Sequence, residues 1–190
     1  MSDIESDLKR EESIKKWSAW RFNVRDHFKS MTVDDIREDL KKDQLPCAVL
    51  MQNIEGDFNI GNIIRTSNNF NVSEIFYFGK KKYDKRSALG VYNYSKVTYL
   101  ESFEQVKALK SIYTFIGLEN NIDNTTPIKS FIYPKKPIFV MGEENVGITE
   151  ESSSLIDYFL EIPSRGSVRS LNVGTAAAIV LYDYWSKYNE

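Results

Sequence analysis

The sequence contains a single cysteine and a single histidine in 190 residues, and both scarcities restrict its chemistry. With Cys47 alone, neither a disulfide framework nor a thiolate metal cluster is possible, which is typical of a reducing compartment. With His27 alone, a two-histidine metal site is excluded, and a Ser-His-Asp triad has no support from neighbouring residues. We therefore expect Cys47 to be a buried structural thiol and His27 to be structural or on the surface.

Long apolar runs are also missing. The stretch from Asp3 to Lys16 is charged and lacks the basic start and apolar centre of a signal peptide, and no run reaches membrane-spanning length. We therefore expect a cytoplasmic protein without membrane contact. The length fits one ordinary domain. A net charge of -2 excludes a uniformly basic nucleic-acid-binding surface but not a local basic patch.

Two common nucleotide-binding motifs are absent. Gly56 and Gly61 do not have the G-x-G-x-x-G spacing of a dinucleotide site, and the chain contains no G-x-x-x-x-G-K-[ST] phosphate loop. An NAD- or ATP-dependent enzyme of the usual kind is therefore a remote alternative.

What the sequence does contain is a series of short apolar runs separated by helical or loop segments. Each run is bounded by turn residues, as expected of a strand covered on both faces of a parallel sheet. This alternation predicts an α/β fold with a mostly parallel sheet and helices on both faces. The predicted strands are Pro46–Asn53, Glu74–Phe78, Val97–Leu100, Ile112–Gly117, Pro137–Met141 and Tyr158–Ile162, and the helical segments between them include Asn59–Phe70, Phe103–Lys110 and Thr149–Ile156.

Residues 1–45 mix both charge signs almost evenly, which predicts a helical extension before a main domain at 46–190. Thr32 and Asp35 form a capping-box pattern that opens a short helix. Aromatic and arginine residues alternate between Trp17 and Arg25, a pattern that suits either RNA contact or packing on the main domain or a second subunit. We favour packing.

Three polar loops that contain glycine each follow a predicted strand; they lie within Asn59–Phe70, Met141–Glu150 and Ile162–Ala178. Because α/β sheets bind ligands outside the carboxyl ends of their strands, these loops predict one shared site. Ser170 is predicted to cap a C-terminal helix. Gly174 inside that helix costs about 1 kcal/mol relative to alanine, which indicates close packing or a ligand.

The charged residues of these regions allow two interpretations each. Arg65 suits bidentate recognition of phosphate, but an arginine of this kind also pairs with surface carboxylates. Glu144 is suited to acid-base work or to binding loop N–H groups. A basic run could follow a phosphate backbone or form a solvated loop. It consists of Lys80, Lys81, Lys82, Lys85 and Arg86.

Together the three loops resemble the signature motifs of the SpoU (TrmH-like) branch of the SPOUT RNA methyltransferases. The first motif is NIGNIIRT at 59–66, the second is FVMGEENVGI at 139–148, and the third runs from IPSRG to SLNV over 162–173. The resemblance covers roughly residues 45 to 188, and three matched motifs are far more specific than any one of them.

This resemblance implies an α/β domain with a deep trefoil knot at its C-terminal end and an obligate homodimer. It implies methyl transfer from S-adenosylmethionine to a ribose 2′-hydroxyl, without a metal. A 2′-hydroxyl target restricts the substrate to RNA and excludes DNA. Segments 112–119 and 168–173 are similar to tRNA guanosine 2′-O-methyltransferases, which favours tRNA over rRNA.

The resemblance also implies the site residues. The catalytic set is Asn59, Arg65, Glu144, Ser170 and Asn172. The cofactor-binding set is Gly117, Leu118, Glu119, Gly142, Glu143, Glu144, Asn145, Val146, Ile162 and Leu171. Gly174 departs from the serine often found at its position in the family. Arg65 is often assigned a base-like role there, but a guanidinium normally stays protonated, so we favour a clamp on the adjacent phosphate.

Two alternatives share the same scaffold. A non-catalytic RNA-binding protein is disfavoured because Arg65, Glu144 and Asn172 are all present. A base-modifying methyltransferase of the broader knotted superfamily is the other alternative.

Overall fold

A seven-stranded parallel sheet forms the centre of the computed structural model, which describes residues 24–120 and 122–188. Neighbouring strands pair in parallel throughout, in the order β3-β2-β1-β6-β4-β7-β5. The strands are β1 (Leu45–Gln52), β2 (Val72–Phe78), β3 (Val97–Leu100), β4 (Thr114–Leu118), β5 (Thr126–Pro127), β6 (Pro137–Met141) and β7 (Tyr158–Glu161). The predicted mostly parallel sheet is confirmed.

The α-helices precede, connect and follow these strands. Within the described residues they are α1 (Val33–Leu40), α2 (Asp57–Asn69), α3 (Phe103–Ala108), α4 (Glu150–Ser153) and α5 (Val173–Tyr188). The predicted capping box opens α1, because the Thr32 side chain accepts the N–H of Asp35 and the Asp35 carboxylate accepts the N–H of Thr32.

The C-terminal helix begins later than predicted. Asn172, not Ser170, is its N-cap, because Asn172 Oδ1 accepts the N–H groups of Gly174 at 3.0 Å and Thr175 at 3.3 Å. Ser170 lies exposed in the preceding loop. Both residue types are good caps, so the sequence pattern did not distinguish between them.

Further differences from the prediction include a later strand start and an additional strand. The strand predicted from Ile112 begins at Thr114, and Ile112 is 54% exposed. The two-residue strand β5 was not predicted, because two residues carry no period-2 pattern.

Two apolar cores lie on opposite faces of the sheet. Cys47 and Val49 of β1 belong to the core that includes residues of α2 and α5. Ala48 and Leu50 belong to the second core, which includes Val106 of α3. Because both faces of β1 are covered, its sequence is apolar without alternation. The predicted helices on both faces are therefore confirmed, and so is the burial of Cys47.

The described part of the N-terminal extension rests on loops of the main domain. Arg37 Nε donates to the carbonyl of Asn93 at 2.8 Å, and Asn71 Nδ2 donates to the carbonyls of Leu40 and Asp43, each at 2.8 Å. The predictions for Trp17 and Trp20 fall outside the described residues. No helix in the described ranges has the length and apolar character needed to cross a bilayer.

Candidate active site

A cleft of about 700 Å³ lies where β4 and β6 end. Because these strands are parallel, the loops that follow them meet at one edge of the sheet, as the sequence predicted. Ten predicted site residues line this cleft, namely Leu118, Glu119, Gly142, Glu143, Glu144, Asn145, Val146, Ser170, Leu171 and Asn172.

Glu144 is the acceptor at the centre of the hydrogen bonds beside this cleft. Its Oε1 accepts from Asn59 Nδ2 at 2.8 Å and from the N–H of Gly56 at 3.4 Å. Its Oε2 accepts from the N–H of Glu55 at 3.2 Å. The carboxylate therefore fixes the loop after β1, the start of α2 and the loop after β6 in one arrangement.

Asn59 extends these hydrogen bonds to the third motif. Asn172 Nδ2 donates to Asn59 Oδ1 at 3.0 Å, while Asn172 Oδ1 caps α5. In each of the two amides both the nitrogen and the oxygen form a hydrogen bond, so these partners set the orientation of the amide. The chain Glu144–Asn59–Asn172 joins residues that are up to 113 positions apart in the sequence.

The environment of Glu144 favours its ionised form. Partial burial raises the pKa of this carboxyl, but the hydrogen bonds from Asn59 and from backbone N–H groups lower it more. Its pKa consequently lies below the ordinary value of 4.5. Near neutral pH the group is an acceptor that positions Asn59 rather than a proton donor.

The loop after β6 closes on itself. The N–H of Glu143 donates to the carbonyl of Gly147 at 3.0 Å, and the N–H of Gly147 donates back at 2.9 Å. Gly147 has φ +75°, and a Cβ at Gly142 would overlap the backbone of Gly147. The two glycines are therefore needed for this tight turn at the edge of the cleft.

Two predicted cofactor residues lie beside the cleft rather than on its wall. Gly117 is buried behind it, where a Cβ would meet Ile148 Cδ1 at 2.7 Å. Ile162 lines an adjoining depression of about 80 Å³. Its backbone is held by the side chain of Asn120, which donates to the carbonyl and accepts the N–H of Ile162, each at 3.2 Å.

Arg65 is the one predicted catalytic residue that the described chain does not bring to the cleft. It lies six residues beyond Asn59, about 9 Å along α2, and its side chain is exposed. Among the described residues no side-chain hydrogen bond or ion pair involves it. Within the part of the chain that the structure covers, its guanidinium is therefore available to a ligand or a second chain.

Some residues of the site were missed from the sequence. Arg169, Ile148 and Phe159 also line the cleft, and Asn120 clamps Ile162. The position of Arg169 inside the third motif was the available signal for it. Asn120 carried no signal, because its role depends on the pairing of β4 with β7. No group of three or more histidine, cysteine, aspartate or glutamate residues able to hold a metal ion occurs in the ranges that the structure covers.

A protein-family model described as the SpoU rRNA Methylase family matches residues 46–182. The chain belongs to this family. The match covers all three motif loops, so the SpoU resemblance stated from the sequence is confirmed.

Known SpoU relatives agree with this assignment. The tRNA (guanosine(18)-2'-O)-methyltransferase of Escherichia coli strain K12 is 30% identical over 152 residues, which cover 78% of this chain and 66% of that enzyme. The chain thus spans just under two thirds of the length of this curated relative.

Solved structures of SpoU proteins share the fold. The TrmH/SpoU tRNA modifying enzyme of A. aeolicus matches with a TM-score of 0.73 and 23% identity, over 83% of this chain and 82% of that one. The SpoU methyltransferase AviRb of Streptomyces viridochromogenes, in complex with AdoMet, matches with a TM-score of 0.69 and 23% identity, over 75% of this chain and 58% of that one.

Proposed function

We propose that this SpoU-family protein transfers a methyl group from S-adenosylmethionine to a ribose 2′-hydroxyl of RNA, with tRNA favoured over rRNA. The observation that carries the proposal is the hydrogen-bonded chain Glu144–Asn59–Asn172 beside the 700 Å³ cleft. It unites the three family motifs at one place. The names of the E. coli and A. aeolicus relatives support tRNA. A tRNA substrate implies work in the cytoplasm.

The cleft fits S-adenosylmethionine in size and chemistry. Its volume lies within the range of about 300–1,000 Å³ that is usual for small-molecule sites. Apolar walls from Leu118, Val146 and Leu171 suit an adenosine ring, and the carboxylates of Glu119 and Glu143 suit a cationic ligand. We therefore keep the predicted cofactor-binding residues as our assignment.

When bound, S-adenosylmethionine supplies an electrophilic methyl group on a cationic sulfur. The side chains must then hold the ribose oxygen in line and assist loss of its proton. Asn59 and Asn172 are fixed by each other and by Glu144. The N–H groups and lone pairs of their amides that these hydrogen bonds leave unused are therefore oriented before RNA binds. Ser170, on the cleft wall, offers a further hydroxyl. Arg65 clamps the neighbouring phosphate and lowers the hydroxyl pKa electrostatically.

A homodimer brings Arg65 into this scheme. On α2, Phe58, Asn62 and Arg65 share one face by their i, i+4, i+7 spacing, and Phe58 is 75% exposed. The neighbouring α5 exposes Tyr182 (58%) and Trp185 (43%), whose rings lie 5.9 Å apart. An exposed aromatic face of this kind supports an interface with a second copy, which would bury Arg65 next to the partner's cleft.

We also propose the trefoil knot and the domain division at residues 45 and 46. Support for the knot comes from the path of the chain, since β7 pairs with β4 and β5 whereas α5 returns to pack against α2. The loop 162–172 connects these two positions. The division is supported by the start of β1 at Leu45, one residue before the proposed main domain begins.

Substitution of Arg65 tests the catalytic assignment. Arg65→Ala is expected to lower methyl transfer to tRNA by about a hundredfold or more, because a preorganised charge at the reacting oxygen is lost. Binding of S-adenosylmethionine, measured by calorimetry, should persist. Labelled methyl transfer to total tRNA and to rRNA, followed by nuclease digestion and mass spectrometry, identifies the modified nucleoside.

Arg65→Lys serves as the matched variant. It keeps the charge but loses the planar fork, so activity between that of Arg65→Ala and wild type is expected if the fork holds phosphate. Equal loss of cofactor binding and methyl transfer in Arg65→Ala would contradict the assigned role. A methylated base instead of a methylated ribose would contradict the proposed reaction.

A further inference from the structure

A basic segment that the proposed reaction does not use lies beside the cleft. Gly79–Arg86 follows β2, whose carboxyl end lies at the same edge of the sheet as those of β1 and β6. Lys80 of this segment and Glu143 of the cleft wall border a common open depression together with residues 53–55. The segment therefore continues the rim of the cleft.

Asp57, the first residue of α2, anchors this segment. Its Oδ1 accepts from Lys80 Nζ at 2.6 Å, and its Oδ2 accepts the N–H of Asp84 at 3.0 Å. Lys80 Nζ also donates to the carbonyl of Glu55 at 3.0 Å, and the N–H of Glu55 is bound by Glu144. The segment is thus held in a fixed position relative to the hydrogen bonds at the cleft.

Two lysines of the segment have no carboxylate partner within the described part of the chain. Ion pairs within the described residues neutralise three of its cations, since Lys80 pairs with Asp57, Lys81 with Glu101 and Arg86 with Asp84. Lys82 and Lys85 form no ion pair with any described residue, and both are exposed. Among the residues that the structure describes, they are the cations of this segment that no carboxylate pairs with, and they can take an anionic partner.

Tyrosine rings pack within and against the segment. Tyr77 packs against Tyr83 and Tyr99 at centroid distances of 5.5 and 5.0 Å, and the Lys85 ammonium lies 5.0 Å from the ring centroid of Tyr92. A lysine lying along an aromatic ring has fewer conformations to lose when it binds an anion. The surface is therefore preorganised rather than a free solvated loop.

We propose that Gly79–Arg86 is a second RNA-contacting surface, on which Lys82 and Lys85 bind backbone phosphates of nucleotides that flank the one in the cleft. The inference rests on the proposed function and adds to it the path of the RNA strand across the sheet edge. A lysine ammonium is a point charge and lacks the planar set of donors with which an arginine recognises a base edge. Phosphate is therefore the ligand that matches these lysines.

The test uses the full chain with Lys82→Gln and Lys85→Gln combined. Its matched control combines Lys135→Gln and Lys136→Gln, which remove the same charge from exposed lysines directly before β6, at the opposite edge of the sheet. Filter binding of total tRNA without cofactor, over a range of salt concentrations, gives affinity and salt dependence. The first pair should weaken binding roughly tenfold at low salt and reduce the salt slope by about one per lysine.

Other readouts separate this surface from the catalytic site. In the first pair the KM for tRNA should rise while kcat at saturating tRNA and affinity for S-adenosylmethionine stay within about twofold of wild type. Unchanged affinity and slope, or an equal loss in the control pair, would overturn the inference. A wild-type protein that binds tRNA through these lysines but methylates no RNA would refute the proposed function and leave this surface standing.

Discussion

At the scale of single residues, Glu144 shows how hydrogen bonds determine the ionisation state of an exposed carboxyl group. Its folded-state pKa is lowered, so its stabilising contribution is fully present above the unfolded pKa and is lost as pH falls through the folded value. Glu144→Gln should therefore lower the free energy of unfolding by about 1 kcal/mol near neutral pH, a figure discounted for exposure. The difference from wild type should shrink below the ordinary pKa of 4.5.

The neighbouring Glu143→Gln is the matched control for this prediction. It makes the same chemical change one residue away, where no side-chain hydrogen bond is formed among the described residues. Urea unfolding over a range of pH, monitored by circular dichroism, measures both variants. A loss in Glu143→Gln as large as that in Glu144→Gln would assign the effect to net charge rather than to the hydrogen bonds.

Most residues that the sequence assigned to the site line the cleft or lie beside it, but the sequence did not show how they are joined. Motif positions placed Glu144, Asn59 and Asn172 in one set, because the spacing of three loops is visible along the chain. The bond between Asn59 and Asn172 depends on the packing of α5 against α2, which no local pattern encodes. For the same reason Asn120 escaped notice, whereas burial of Cys47 followed directly from its apolar strand.

At the scale of secondary structure, the start of α5 provides a direct test of its cap. Asn172→Ala should destabilise the protein by about 1 to 2 kcal/mol, because the first-turn N–H groups of Gly174 and Thr175 lose their acceptor. Ser170→Ala should change stability by less than about 0.5 kcal/mol, as is usual for an exposed side chain. Thermal unfolding distinguishes the two, and the reverse order would restore the original prediction of a Ser170 cap.

Gly61 in the middle of α2 illustrates packing that outweighs helix propensity. Alanine is the better helix former by about 1 kcal/mol. A Cβ at this position, however, would overlap Ser87 Oγ and lie 2.8 Å from the backbone nitrogen of Ala88. We expect Gly61→Ala to be destabilising by about 1 to 3 kcal/mol.

The companion variant Ser87→Gly checks the cause of that loss. In a Gly61→Ala, Ser87→Gly double variant the side-chain overlap is removed, so part of the stability should return relative to the sum of the single changes. If the changes in unfolding free energy measured with denaturant were strictly additive, the two side chains would not be in steric conflict.

Element boundaries were predicted where a local signal exists. The capping box at Thr32 and the apolar run at Pro137–Met141 coincide with the structure because each is encoded by residues close together in the sequence. The short strand β5 has no such signal, since it exists only by pairing with β7. The order of the strands was likewise invisible, because it depends on contacts between distant segments.

At the scale of the whole molecule, the aromatic face of α5 tests the proposed homodimer. Trp185→Asp should shift the protein from dimer to monomer in analytical ultracentrifugation, because a charge would be placed in an apolar interface. Ile112→Asp is the control, since Ile112 is 54% exposed and follows α3, which packs on the opposite face of the sheet from α5. A wild-type monomer, or a dimer that survives Trp185→Asp, would contradict this assembly.

The position of β6 has a consequence for biosynthesis. This strand joins β1 on one side to β4 on the other, although more than eighty residues separate its partner β1 from it along the chain. While the polypeptide is still emerging from the ribosome, β1, β2 and β3 can assemble early, but β4 has neither of its neighbours until the later strands β6 and β7 are made. Translation must therefore pass beyond Met141 before the two halves of the sheet can be bridged, and the newborn chain leaves a hydrogen-bonding edge of β1 uncovered until then.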